Sequence, residues 1–129
     1  MGTYKNFEEI PVWQKSRELA KRIYAASNQS EFSKDFGLRD QIRRASVSIV
    51  SNIAEGFDRS GTAEFIQFLS FAKGSTGEVK AQLYVALDLG YISKEVFGNL
   101  FAIAAETGRM LGGFITYLRQ SGIKGTKFK

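Results

Sequence analysis

Seven positions, Phe65, Leu69, Ala72, Thr76, Val79, Leu83 and Ala86, recur at intervals of 4, 3, 4, 3, 4 and 3 residues. A stripe of that period stays on one face of an α-helix, whereas on a strand it would scatter over both faces. A helix patterned this way packs best against other helices at a shallow angle. The chain must therefore supply partner helices for it, and three further segments carry the same period.

The first spans residues 11–27. Pro11, the one proline of the chain, suits a first helical turn, where its missing N–H would be unpaired anyway. Val12, Trp13, Ser16, Leu19, Ala20, Ile23 and Tyr24 share one face, and Lys15, Glu18 and Arg22 lie opposite. Residues 28–36 are polar and read as a loop. The second segment, residues 38–57, contains VSIVSNI, which alternates locally like a strand. Its longer pattern, Leu38, Ile42, Ala45, Ile49, Ile53 and Gly56, is helical, with Ser46, Val50 and Phe57 widening the face. Asn52 falls on the core flank, where a polar side chain needs a partner within the bundle.

Residues 58–61 form a turn, and Thr62 or a neighbour is expected to cap the third helix, with Glu64 in its first turn. Gly90 marks that helix's left-handed end. Ser93 is expected to cap the fourth, which carries two adjacent apolar stripes. One begins at Val96, Leu100 and Ile103 and the other at Phe97, Phe101 and Ala104. Two stripes imply burial on a second side. Residues 121–129, with two Gly and three Lys, read as a basic, disordered tail. Short links leave little choice but antiparallel neighbours. The expected fold is all-α: one domain over residues 1–120, an antiparallel up-down-up-down four-helix bundle.

The 129 residues include no His and no Cys. Histidine-based zinc and haem sites, thiol nucleophiles and Ser-His-Asp triads lack their central residue. The di-iron site common in helical bundles needs two Glu-x-x-His pairs. Glu55, Asp58, Glu64 and Glu78 could form only an all-oxygen site for a hard cation, and read more simply as solvated or arginine-paired carboxylates. AKGSTGEVK, residues 72–80, lacks phosphate-loop spacing and sits inside a helix, where Gly74 and Gly77 are expected to allow close helix contact. No enzyme, cofactor or metal is expected. The N-terminal stretch has no apolar run resembling a leader, and the longest uncharged runs, 45–54 and 96–105, are about half a bilayer span. The reading is a cytoplasmic protein without a membrane partner.

Three strings in order, VWQKSRELAKRIY (12–24), QIRRASVSIVSNIAEGFDR (41–59) and EFIQFLSFAKGSTGEVKAQLYVALDLGYIS (64–93), carry a resemblance. Together they resemble the bacterial four-helix-bundle family associated with intervening sequences in 23S ribosomal RNA genes. The likeness covers residues 7–118. At Val50 many members of that family carry proline, a departure that bears only on a local kink. The resemblance implies a homopentameric ring with a central channel. It extends to the accessory variability proteins of diversity-generating retroelements, which bind nucleic acid and a reverse transcriptase through a basic surface. It implies RNA association and no enzymatic activity, with a protein partner such as a reverse transcriptase as the alternative.

Charge is unevenly spread around the net of +5. Residues 1–44 hold 9 basic and 6 acidic side chains, residues 45–118 hold 5 and 7, and residues 119–129 hold 4 and none. Lys15, Arg17, Lys21 and Arg22 on the first helix, with Arg119, Lys124, Lys127 and Lys129, are therefore the candidate phosphate contacts. Arg17 and Lys21 are like charges one turn apart, a pair an anion would relieve. Val47 and Ala54 lie off the core centre of the second helix, beside Arg43. With Glu55 they form a candidate subunit interface, in which Arg43 is expected to make an interhelical or intersubunit ion pair. Arg44 is expected to pair with Asp40 one turn away. Most of the 17 aromatics fall on core stripes, Phe128 between Lys127 and Lys129 being the exception. That favours contact with the nucleic-acid backbone over base stacking.

Overall fold

The computed structural model describes residues 4–59 and 61–121. After a 3-10 turn at Phe7–Glu9 come α1 (Pro11–Ser27), a short α2 (Ser30–Lys34), α3 (Phe36–Asp58), α4 (Thr62–Asp88) and α5 (Lys94–Ser121). The four long helices form a bundle in which α1 packs on α3, α3 on α4, α4 on α5, and α5 returns to α1. Consecutive helices run antiparallel. Ser75 of α4 meets Ser48 of α3 and Gln82 meets Gln41, so one position rises as the other falls.

The core lies where the periodicity put it. Leu19 and Ile23 of α1, Ile42, Ile49 and Ile53 of α3, Leu69, Val79 and Leu83 of α4, and Leu111 of α5 are all essentially inaccessible to solvent. Both stripes of α5 contribute to the core: Leu100 and Thr107 of the first and Ala104, Leu111, Ile115 and Leu118 of the second are buried, flanking residues pack to either side, and Val96 is 37% exposed. Phe114 meets Phe65 of α4 at 5.4 Å between centroids, and Phe101 meets Tyr84 of α4 at the same separation.

Helix ends follow the expected chemistry with two exceptions. Ser93 Oγ accepts the Val96 N–H at 3.1 Å. Gly90 adopts φ +75 and completes a Schellman end on α4, in which Tyr91 N–H reaches the Ala86 carbonyl and Gly90 N–H that of Leu87. Thr62 is not a cap: Gly61 holds that position and Thr62 Oγ1 is buried without a partner among the described residues. Residues 28–36 are not simply a loop. They contain α2, anchored by Phe32, which is 1% exposed and stacks on Tyr91 at 5.4 Å. Asp35 then caps α3 by accepting the Leu38 N–H. No proline interrupts α3, which runs helical through Val50. Ser121 is helical, so the tail as read begins one residue early, and residues 122–129 lie outside the described residues.

Glycines mark the closest helix contact, but not those expected. A Cβ on Gly74 or Gly77 would meet nothing within 4 Å, so neither serves packing within the chain. Gly56 does: a Cβ there would stand 2.5 Å from Phe68 Cβ. That position brings α3 against α4.

Candidate nucleic-acid interface

The cations of α1 divide between two flanks. Lys15 reaches across to Glu106 of α5 at 3.5 Å, and Arg22 is held by Glu18 at 2.8 Å, so both are occupied on the α5 side. The Arg22 guanidinium, hydrogen-bonded to Glu18, holds that carboxyl below the usual glutamate range. Arg17 and Lys21 lie about a third to nearly half a turn from the core on the other side, exposed and with no carboxylate within ion-pair distance among the described residues. Arg17 packs its guanidinium 5.8 Å from the Trp13 ring centroid. The sequence therefore identifies four cations, and the bundle leaves two of them together without a direct ion pair among the described residues.

Arg119 is not part of that face. It lies near the end of α5 on the side turned toward α4. Lys124, Lys127 and Lys129, with Phe128, fall outside the described residues.

The expected interface set also separates. Arg43, Val47 and Ala54 share the α1-facing edge of α3, where Val47 is 41% exposed beside Tyr24. Glu55 lies on the opposite edge, ion-paired to Arg59 at 2.9 Å, and Arg59 also reaches Glu64 at 3.7 Å. Arg43 makes no ion pair among the described residues. Its Nε donates to Ser27 Oγ at 2.7 Å and its NH2 group to the Tyr24 carbonyl at 3.3 Å, with the guanidinium 4.6 Å from the Tyr24 ring centroid. Asp40 takes Arg39 as partner at 3.0 Å, and Arg44 has no carboxylate within 4.0 Å among the described residues. Asn52 finds its partners as expected, donating to the Ser48 carbonyl and hydroxyl at 2.8 and 2.9 Å.

The aromatics depart furthest from expectation. Phe36, Phe71, Tyr84 and Tyr24 are exposed. Several rings carry a cation: Arg39 lies over Phe36, Arg59 over Phe68 and Lys80 over Phe101, at 4.7, 5.0 and 5.4 Å. A helical wheel drawn from sequence identifies each core stripe but not the ring that crosses from one helix to its neighbour. Pairs such as Lys80 and Phe101 are therefore invisible until α4 and α5 are docked.

Among the described residues no three His, Cys, Asp or Glu side chains gather as a metal site would require, and no helix is long and apolar enough to cross a membrane. No curated protein matches the chain. Among solved structures, it is similar to a protein of unknown function from the S23 ribosomal protein family of Bacteroides thetaiotaomicron VPI-5482. The identity is 29% and the TM-score 0.75, over 81% of this chain and 97% of that one. The model of the 23S rRNA-intervening sequence protein family matches residues 8–113, within which lie α1 to α4 and most of α5. The bundle, its helix order and that match make this chain a member of the 23S rRNA-intervening sequence protein family.

Proposed function

We propose that the protein is a non-enzymatic, cytoplasmic RNA-binding protein that assembles as a homopentameric ring and holds structured RNA through its phosphates. The observation that carries the reading is the pair Arg17 and Lys21, exposed one turn apart on α1, neither within 4.0 Å of a carboxylate among the described residues. Such a pair is relieved by an anion. The family's association with 23S ribosomal RNA genes supports RNA as the source of that anion. Val47 and Tyr24, both exposed beside Arg43, support self-association along the α1–α3 edge. Five copies of a +5 chain would carry about +25, a field that concentrates polyanions at low salt.

The test is a fluorescence-anisotropy titration of a folded RNA and a matched DNA duplex at several salt concentrations. Tight RNA binding with a steep fall in affinity as salt rises is the expected result. Arg17→Glu with Lys21→Glu should weaken it and flatten the salt dependence with the fold intact. Unchanged affinity in that variant would remove α1 from the site.

A second reading rests on α4, whose outer side exposes Phe71 and Val85. It makes the ring a scaffold for a protein partner, such as a reverse transcriptase. Absence of any RNA binding near 50 mM salt would favour it.

A further inference from the structure

The basic residues of α4 and α5 gather on one seam of the bundle. Lys73 of α4 lies against Gly112 of α5, where an added Cβ would stand 3.3 Å from Lys73 Cε. One register step along, Lys80 Nζ lies 5.4 Å from the Phe101 ring centroid. On α5, Lys94, Phe101, Ala105, Gly112 and Arg119 fall within about 40° of a single line, and Arg109 borders it. None of these cations has a carboxylate within 4.0 Å among the described residues, unlike Lys15, Arg22, Lys34, Arg39 and Arg59.

The acidic residues of the same helices are turned elsewhere or lie at the seam's end. Glu64 reaches Arg59, Glu106 reaches Lys15 on α1, and Glu78 lines the groove between α3 and α4. Asp88 and Glu95 sit at the loop end. The middle of the seam is therefore purely cationic. Its floor there is formed by Gly108, against which Thr76 packs, and Gly112, against which the Lys73 stem lies.

At one end of this strip stand three rings. Tyr84 lies 4.9 Å from Phe97 and 5.4 Å from Phe101 between centroids, and Phe97 lies 5.2 Å from Phe101. Phe97 and Phe101 are half-buried and hold the third ring in place, while Tyr84 is 51% exposed. Cations beside an exposed, braced aromatic are the elements that grip an unpaired strand: the cations track phosphates and the ring stacks a base. A duplex hides its bases, so it could use the lysines but not Tyr84.

We propose that the α4–α5 seam binds single-stranded RNA, with Lys73, Lys80 and Arg109 on its phosphates and Tyr84 stacking a base. The inference rests on the reading of this protein as an RNA binder but assigns the contact to a different face and to an unpaired strand. Because every base presents a π-face to Tyr84, oligoadenylate and oligouridylate both bind, each in preference to a duplex.

The experiment measures labelled oligoadenylate, oligouridylate and an RNA duplex by anisotropy against the full chain and two sets of variants. Tyr84→Ala is expected to weaken the single strands about tenfold, to spare the duplex, and to be rescued by Tyr84→Phe. Lys73→Gln with Lys80→Gln is expected to lower the slope of log affinity against log salt by about 1.4 for a single strand. All these positions except the half-buried Lys80 stem are exposed, so unchanged circular dichroism melts are expected to confirm folding. Single-strand binding that is indifferent to these variants yet lost in Arg17→Glu with Lys21→Glu would overturn the seam and leave the general RNA reading standing. Failure to bind any RNA would overturn both. A change in oligomer mass by light scattering on Tyr84→Ala would overturn the seam by making it a contact between copies.

Discussion

Tyr91 donates its phenolic O–H to Asp35 Oδ2 across 2.9 Å, and the other oxygen of that carboxylate accepts the Leu38 N–H at 3.1 Å. One side chain thus caps α3 and ties it to the link between α4 and α5, 56 residues away in sequence. Phe32 stacks beneath the Tyr91 ring, so α2 is part of the same corner. The corner closes the loop end of the bundle at the place where the chain carries least regular structure.

This bond makes the corner sensitive to alkali. Donation to Asp35 raises the Tyr91 pKa above its ordinary value of 10.0, helped by partial burial and by the charges of Asp35 and Glu31. A raised folded-state pKa means a contribution that is complete below about pH 10 and is lost as pH climbs through the higher folded value. Thermal melts of the wild type and of Tyr91→Phe across that range provide the check. The variant should melt lower at neutral pH, and the two curves should converge in strong alkali. A constant gap across the range would mean that the phenol proton contributes nothing.

Gly56 sets the spacing of α3 and α4. Because the Cβ of Gly56→Ala would stand 2.5 Å from Phe68 Cβ and 3.1 Å from Phe65 Cδ1, the helices themselves must move. Overpacking of this kind costs about 1–3 kcal/mol. Urea unfolding should show a lower midpoint with the same slope.

Gly74 predicts the opposite sign. It is exposed within α4, has φ in the ordinary helical range and has nothing within 4 Å of an added Cβ. Gly74→Ala should raise unfolding stability by about 0.8–1.0 kcal/mol through helix propensity alone. The same holds for Gly77→Ala, and the double variant should be additive if each site is free of the other's neighbours. A loss of stability in purified protein would instead place a close contact with a second chain there.

These two kinds of glycine show where sequence reasoning succeeds and stops. Periodicity is a property of one helix, so Leu19, Ile49, Leu83 and Leu111 could be assigned to the core before any partner was known. Spacing puts Gly56 on the core stripe of its helix and Gly74 and Gly77 off theirs, but how tightly a glycine is crowded is a property of two helices. The same limit applies to Arg43 and to the Lys80–Phe101 pair, each defined by a residue on another element. The short α2 was missed for a local reason. Its five residues carry a single apolar anchor, Phe32, and its turn uses Ser30 at φ 38, where a glycine would have signalled the bend. For the candidate cations, identity was legible from charge and the Glu18–Arg22 pair from its one-turn spacing, but the Lys15–Glu106 pair depended on how α1 and α5 dock.

Arg43 offers the sharpest separation between a role inside the chain and a role between chains. The Tyr24 carbonyl belongs to the last turn of α1, whose carbonyls have no helical N–H to accept. Arg43 supplies a donor and a positive charge at that end, and its Nε also satisfies buried Ser27. Arg43→Ala should therefore cost about 1.5–3 kcal/mol of unfolding stability, the range for a hydrogen bond to a charged group. Arg43→Lys should recover only part, because an ammonium cannot match the planar fork that reaches both Ser27 and Tyr24. Urea unfolding at several protein concentrations makes the decision. If the contacts act within one chain, the shift in midpoint is the same at every concentration. If Arg43 acts between copies, the shift shrinks on dilution as the assembly itself dissociates.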